Sequence, residues 1–584
     1  MFNKDKREFL FYFLAGFLIS LPMIISTISN PDIGWHIASG RYIVENFTVP
    51  RFDFMSWTKY GTQWIDTEWL TQLIYYLVYS LDGYRSLYIL KLFNIFLIGF
   101  SFSLLVKSLK VSYFNIIWLL PAFFFSALNI LDLRPDNYSV ILFILLFILL
   151  NRITDDDSLS SKTLIKIAVM FILWANIHPG STYGLIMIAI YFFGMLFNEN
   201  LGYIYGDTKK IKFDKSKKYL TILITAFVST LINPYGYQIY SVFFFHFSNL
   251  ADCQNYISEW QAPDIVDLNL FYFYVFAIIT IIVYLYNFLK TKKTDFIEVF
   301  LLLFFIISAA LYTRLNIYAV IIVSMIFIKV FQKYFSNIKF KILCSVVFIA
   351  PFYYIFYKSS AMENSDLINN RYYSSFGSYS SVDFIKDNIK YFKNLKIYNG
   401  YNVGGFLDGE LYGVIKTFMD GRYLFLDMLP EHLEAYTTKD SWEKFSNKYG
   451  FDMAVLSIHP HAKMKDYQIK IGKENYKFQR PYYYELFDPD KWALIYFDKR
   501  SMIIIKRSSA GADILKDNEY NLIKPYDFDR LYIDTLINKK IVKDIKKELI
   551  NYIRKYNGND ESFSDVFVYI YKDMIDIEKG RFKY

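Results

Sequence analysis

Residues 9–28, FLFYFLAGFLISLPMIISTI, carry no charged side chain, and runs of the same character recur through the first 360 positions. A backbone in hydrocarbon has to satisfy its own N–H and C=O groups, so runs of this length read as helices that cross a bilayer. Composition supports the same reading. The chain of 584 residues is 54% hydrophobic and 21% aromatic, above the roughly 45–50% apolar share of soluble domains. Further runs at 86–106, 113–131, 137–151, 164–177, 181–198, 219–232, 268–289, 296–312, 315–331 and 342–357 predict about eleven spans in a polytopic α-helical membrane protein. The first run is too long for a signal-peptide core and lacks a small-residue cleavage site, so it is expected to stay as a signal anchor. The segment 68–81, EWLTQLIYYLVYSL, is short and opens on an acid and a tryptophan, which predicts a helix lying at the interface.

Charge fixes the expected orientation. With Lys4, Lys6 and Arg7 inside, the alternate loops hold Lys107 and Lys110, then Arg152, Lys162 and Lys166, then the cluster from Lys209 to Lys218, then Lys290, Lys292 and Lys293, then Lys333, Lys339 and Lys341. The intervening stretches 178–180 and 233–267 contain no Lys or Arg. This is the positive-inside pattern, and counting 68–81 as a span would invert it. The net charge of +9 is therefore a matter of topology and points to no nucleic-acid partner. The two cysteines, Cys253 and Cys344, fall on opposite sides, and no Cys/His cluster has zinc spacing.

Near residue 359 the long apolar runs stop. An odd number of spans from an inside N-terminus leaves the remainder outside. There VDFIKDNIKYF (382–392) and SWEKFSNKYG (441–450) read as helices, LKIYN (395–399), VIKTFMD (414–420) and DMAVLSI (452–458) as strands, and WALIYFDKRSMIIIKR (492–507) as a hairpin turning at Asp498–Lys499. The expected organisation is a membrane module over 1–358 with its first outer loop at 29–85, an extracytoplasmic α/β domain over 359–510, and a helical extension over 511–584.

Polar residues on the predicted outer side collect at span ends: Asp32, His36, Asp53, Asp66, Glu68, Asp132, Arg134, Asp136, Asn176, His178, Asn233, Glu259, Arg314 and Asn316. Ionisable groups near hydrocarbon need water, a partner or a cavity, so their concentration on one face points to a shared polar cavity. Plainer readings stand beside this one: Arg134 and Asp136 as headgroup-level caps, His178 as a turn residue, INPYG (232–236) as a helix stop. The first loop is harder to reduce in this way. It carries PDIGWH, VPRFDFMSW and WIDTEWL, and seven aromatics lie between Trp35 and Trp69, which argues against disorder.

The run DIGWHIASGRYI…VPRFDFMSW…GTQWIDTEWLTQ resembles the first outer loop of bacterial GT-C-type membrane glycosyltransferases, which take a sugar from a polyprenyl-phosphate donor. LRPDNYS (133–139), LWANIHPGSTYGL (173–185), INPYG and SEWQAPD (258–264) resemble outer-loop motifs of one bacterial branch of that superfamily, and YNGYNVGGFL (398–407) and FMDGR (418–422) resemble its outer domain. The resemblance covers most of residues 1–507. It implies a GT-C-like enzyme of the bacterial cytoplasmic membrane, N-terminus cytoplasmic, that transfers a sugar from a lipid-linked donor to an extracytoplasmic glycan or lipid acceptor.

Such transfer deprotonates an acceptor hydroxyl as it attacks the anomeric carbon and stabilises the departing phosphate. By resemblance, Asp32 matches the superfamily's first-loop acid and is expected as general base. Glu68 is the second acid, orienting the acceptor, with Asp66 its rival. His36, four residues after Asp32, shares a helical face with it and either orients Asp32, donates to phosphate or is structural. Arg314, Arg134 and His178 are candidates for the donor phosphate, and Trp35 for substrate contact. YNVGGFL and DGR either bind sugar or make turns. No metal site is assigned: Asp32 with Glu68 would suit a divalent cation through oxygen ligands, but transfer from a monophosphate lipid does not demand one. The first loop lacks an adjacent Asp-Asp or Asp-Glu pair, and the tail lacks an oligosaccharyltransferase signature, so protein N-glycosylation is not implied. A transporter would show charged or broken segments at the bilayer midplane and internal repeats, and neither is read here. An outer-face glycan polymerase or ligase and a non-catalytic polysaccharide assembly protein remain as alternatives.

Overall fold

A computed structural model of the chain describes residues 26–109, 132–154, 159–204, 212–264, 268–334, 372–373, 377–458 and 463–582, with isolated positions before residue 26 and between 119 and 123. The chain divides into two compact units. One comprises Met1–Asn30, Ser39–Arg51 and Ile65–Ser374; the other comprises Pro31–Ala38, Phe52–Trp64 and Ser375–Tyr584.

The first unit is a helical bundle. Its helices are the later part of α1 (Ile33–Asn46), then α2 (Trp69–Ser108), α3 (Asp136–Thr154), α4 (Ser161–Ile177), α5 (Ser181–Ile204), α6 (Ser216–Thr230), α7 (Ile239–Ser248), α8 (Leu268–Thr291), α9 (Phe296–Leu311) and α10 (Asn316–Tyr334). Among the described residues, five helical stretches are long and apolar enough to cross a membrane: Trp69–Ser108, Asp136–Ile153, Ser181–Leu201, Phe273–Thr291 and Thr313–Tyr334. The predicted runs at 164–177, 219–232 and 296–312 form the shorter helices α4, α6 and α9. Those at 9–28, 113–131 and 342–357 lie almost entirely outside the described residues. Helix α10 is buried on every face from Asn316 to Ile328, the mark of a helix at the centre of its bundle. It packs against α8 and α9.

Helix α2 joins the predicted interfacial segment 68–81 to the span that follows. It breaks between them, with Asp82 and Gly83 in non-helical conformations. One charge lies inside a predicted span. Lys91 of α2 is 2% exposed and donates to the carbonyls of Ser26 (3.0 Å) and Thr27 (2.7 Å), with Asp132 3.4 Å away. A buried ammonium is tolerated when carbonyls and a carboxylate surround it in this way.

The second unit is built on a four-stranded sheet of order β1-β2-β6-β5, with β1 (Ile397–Asn399), β2 (Met453–Ser457), β5 (Trp492–Phe497) and β6 (Ser501–Lys506). β1 and β2 are parallel, and the other pairings are antiparallel. A separate hairpin of β3 (Met464–Ile471) and β4 (Glu474–Pro481) pairs in full register. The strands read as nearly continuous apolar runs because both faces are covered: in central β6 only Lys506 is not fully buried, and even in edge strand β5 all six residues are buried. Helix α11 (Tyr379–Asp387) packs against β5 and β6; α12 (Tyr401–Glu410) follows β1; and α13 (Lys439–Tyr449) shares a core with β2 and β6 and is stopped by Gly450 in the left-handed region (φ 64°). The C-terminal helices α14 (Val542–Tyr556) and α15 (Ser564–Glu578) share this core, since Leu549, Tyr552, Phe567 and Met574 cluster with Trp442, Phe497 and Ile504.

Two expectations for this unit are corrected. VIKTFMD is not a strand: it forms a single bridge, Thr417 to Ser56. YNVGGFL is not a turn but most of α12.

Candidate functional site

The predicted site residues fall into both units. Glu68, Asp66, Arg134, His178 and Arg314 belong to the first; Asp32, Trp35 and His36 belong to the second.

In the first unit, α4 ends at His178 and Pro179–Gly180 turns the chain into α5. The buried His178 ring has both nitrogens engaged. Nδ1 accepts from the Gly180 N–H at 3.0 Å and lies 2.8 Å from the Ser139 hydroxyl. A backbone N–H can only donate, so Nδ1 is the acceptor nitrogen and the proton sits on Nε2. Nε2 faces Glu68 Oε1 at 3.4 Å. Trp174 Nε1 in turn donates to Ser139 Oγ at 2.7 Å. Serine, imidazole and carboxylate in line invite comparison with a nucleophilic triad, but Ser139 is 0% exposed and no substrate can reach it. The chain Trp174–Ser139–His178 therefore acts to aim one N–H at Glu68.

Asp66 is buried and occupied locally, accepting from the Glu68 N–H (3.1 Å) and the Gln72 amide (2.7 Å) at the start of α2. Neighbouring turns are tied by asparagines. Asn176 accepts from Trp69 Nε1 (2.9 Å) and donates to the Ile232 carbonyl (2.8 Å). Asn233 donates to Thr230 and Gly236, the latter glycine at φ 58°.

Arg134 pairs with Glu259. Burial pushes the Glu259 carboxyl up, but the Arg134 and Arg314 guanidiniums outweigh it and hold the group below its ordinary range. Arg314 lies over Trp260, 5.1 Å from the ring centroid, and the His246 ring stacks on the same indole at 5.3 Å. Burial keeps the His246 imidazole below its usual value and so neutral at pH 7. Arg314, Trp260 and His246 meet His178 in an open cavity of about 100 Å³. Arg314, His178, Trp260, His246 and the α5 N-terminus form its polar part, and Ile239, Val242 and Phe243 its apolar wall. Arg314 and His178, both picked out by the sequence, are thus brought together. Trp260 and Ser139 lie in the runs SEWQAPD and LRPDNYS but were not singled out within them, and His246 was passed over because FFFHFS has the composition of core.

In the second unit, Asp32 precedes the first residue of α1, and Trp35 Nε1 donates to its Oδ1 at 3.0 Å. The His36 N–H bonds the Asp32 carbonyl at 3.1 Å, as helical spacing requires, and its buried ring lies against Trp35. Gly421 also lies against Asp32: a Cβ there would stand 1.9 Å from Oδ1. The next residue, Arg422, is 3% exposed. Its Nε donates to Asp420 (2.8 Å), its Nη2 to Asp420 (2.6 Å) and Asp53 (2.7 Å), and its guanidinium rests over Trp64 at 4.6 Å. Burial depresses the guanidinium, but Asp420 and Asp53 raise it further, so it stays charged. Burial and the nearby Asp420 push the Asp408 carboxyl well up.

Among the described residues no group of three or more His, Cys, Asp or Glu side chains is arranged to hold a metal ion.

No family model matches the sequence, and no curated protein matches it. Solved structures do. Over 99% of this chain and 87% of the other, it is similar to the archaeal oligosaccharyltransferase AglB from Archaeoglobus fulgidus in complex with an inhibitory peptide and a dolichol-phosphate, at a TM-score of 0.56 and 11% identity. The Archaeoglobus fulgidus oligosaccharyltransferase in its apo form gives a TM-score of 0.49 at 12% identity, over 76% of this chain and 69% of that one. ArnT from Cupriavidus metallidurans bound to undecaprenyl phosphate gives 0.40 at 12%, over 86% and 98%. At this identity the likeness is one of fold, shared with the AglB oligosaccharyltransferase.

Proposed function

We propose that the chain is an integral-membrane glycosyltransferase that moves a sugar from a polyprenyl-phosphate donor to a glycan or lipid acceptor outside the cytoplasmic membrane of a bacterium. On this reading it crosses the membrane about eleven times, with the N-terminus cytoplasmic and the sheet-bearing unit outside. The observation that carries the reading is the cavity of the first unit. An arginine and the N-terminus of a 24-residue helix stand beside an apolar wall, which suits a phosphate joined to a hydrocarbon tail. The dolichol-phosphate bound to AglB supports the same choice of donor.

The reaction assigns each group a task. Asp32 takes the proton of the acceptor hydroxyl as its oxygen bonds the anomeric carbon. The bond from that carbon to the phosphate oxygen breaks, and polyprenyl phosphate leaves with the electron pair. Within the first unit, Arg314 suits the charge that develops on the phosphate, and Arg134 keeps Glu259 paired beside it.

The test is transfer of labelled sugar from a panel of polyprenyl-phosphate sugars in membranes carrying wild-type protein, Asp32→Asn or Arg314→Ala at matched levels. Wild-type transfer that falls at least about a hundredfold in both variants is expected. Unchanged transfer in Asp32→Asn removes the base assignment. No transfer by the wild type across a panel of hexose and pentose donors favours a polysaccharide assembly protein or a polymerase of preassembled glycans.

A further inference from the structure

The transfer reaction as described gives no task to the Asp420–Gly421–Arg422 turn, which stood out in the sequence as a sugar-binding candidate. Asp420 and Arg422 are 0% and 3% exposed, so neither can meet a ligand arriving from solution. We propose that this turn and Trp35 form a seat that fixes the Asp32 carboxylate, which makes Trp35 and Gly421 positioning residues for the transfer; the proposal rests on Asp32 being the base.

Two contacts define the seat, and both engage the same oxygen. Trp35 Nε1 donates to Oδ1 at 3.0 Å. Indole has a donor and no acceptor, so this bond favours the anion and cannot itself take up the proton. Gly421 closes the other side. A Cβ there would lie 1.9 Å from Oδ1 and 3.5 Å from Oδ2, so any side chain at 421 drives the carboxylate off Oδ1 first.

Each part of the seat is itself held. The Gly421 carbonyl accepts from the Tyr401 hydroxyl at 3.0 Å. Asp420 and Arg422 on either side are locked by the bidentate pair and by Asp53, whose other oxygen takes the Ser56 hydroxyl at 2.5 Å. Trp35 packs edge-on to Trp64 at 6.2 Å, the ring on which Arg422 rests. The helix carrying Trp35 is placed by backbone contact: a Cβ on Gly34 would meet the Gly405 carbonyl at 2.0 Å, and Gly409 lies against Gly34 as well. A carboxylate that must meet a hydroxyl within hydrogen-bond reach gains from such restraint, because a misplacement of about 1 Å costs on the order of a hundredfold in rate.

Trp35→Phe keeps an aromatic ring, smaller than the indole, and removes the N–H; Gly421→Ala inserts the missing Cβ. With a donor sugar that the wild type uses, we expect kcat to fall about tenfold and about a hundredfold respectively, with donor KM within about twofold. In an Asp32→Asn background neither change should cost more than about twofold, because nothing is left to position. Losses that multiply in that background overturn the proposal, as does full activity of both variants while Asp32→Asn is inactive. Full activity of Asp32→Asn instead removes the base assignment beneath it. A second readout needs no turnover: labelling of Asp32 by a water-soluble carbodiimide, followed by mass spectrometry with the exposed Asp383 as reference. Release from the seat should raise Asp32 labelling severalfold in both variants, and unchanged labelling in both overturns the proposal.

Discussion

A buried imidazole is useful only if its proton is on the right nitrogen, and His178 is built to ensure that. The Gly180 N–H and the Ser139 hydroxyl crowd Nδ1, leaving Nε2–H for Glu68. His178→Gln can still offer an N–H near the Nε2 position, whereas His178→Ala cannot. We therefore expect the alanine variant to lose about tenfold more transfer activity than the glutamine variant, measured as kcat/KM on the same donor. A second histidine tests the fold. Burial pushes His432 down to about 4, its Nδ1 lying 2.8 Å from the Tyr398 hydroxyl. The folded value lies below the ordinary 6.5, so the native state resists protonation. Stability is complete above pH 6.5 and is lost as pH falls towards 4, by on the order of 3 kcal/mol. Melting profiles of purified protein between pH 7 and 4 should show that loss, and His432→Phe should flatten it. At this scale the sequence was informative where chemistry is sparse. Asp32, His178 and Arg314 could be picked out as polar groups at span ends, whereas the contacts of Gly421 and Arg422, in a run read as sugar-binding or a turn, could not, because their partners Asp32 and Asp53 lie several hundred residues away in sequence.

Elements with local causes were legible, and those with distant causes were not. The α13 helix, its glycine stop, strand β2 and the β5–β6 hairpin all follow from nearby pattern and turn chemistry. VIKTFMD has a strand's composition, yet its backbone bonds run elsewhere: the Thr417 N–H to the Met55 carbonyl, the Phe418 N–H to the Asn399 side chain. No local pattern announces a partner in the first loop. YNVGGFLDGE misled for a different reason. Its glycines suggested a turn, but they serve close approach: Gly405 and Gly409 stand against Gly34 and its surroundings, and a Cβ at Gly404 would meet the Met419 carbonyl at 1.8 Å. The break in α2 is a glycine effect of another kind. Gly83 adopts φ 59°, ψ −141°, a region that side chains avoid, so Gly83→Ala should cost about 1–3 kcal/mol. A lowered melting temperature of the purified protein in detergent is the measurement. An unchanged melting point would mean that the break shifts without penalty.

At the scale of the whole molecule, the first outer loop does not behave as one piece. Pro31–Ala38 and Phe52–Trp64 count with the C-terminal residues, while Ser39–Arg51 and the chain from Ile65 count with the bundle. A sequence reading places boundaries where composition changes, and composition does not change at residues 52 or 64. Orientation, by contrast, is a whole-chain property that charge alone makes testable. The lysine cluster around Lys215 is expected inside; the base-free stretch 233–267 and the sheet-bearing unit are expected outside. In a Cys253→Ser, Cys344→Ser background, single cysteines at Lys215, Ser258 and Lys477 report the three places, each residue exposed in its own unit. A membrane-impermeant maleimide applied to intact cells should label Ser258→Cys and Lys477→Cys at once, and Lys215→Cys only after the membrane is opened. Labelling of Ser258→Cys without Lys477→Cys would mean an even number of crossings and a second unit in the cytoplasm. That outcome would set the seat of Asp32, which belongs to the second unit, on the side away from an extracytoplasmic acceptor, and the proposed reaction could not stand.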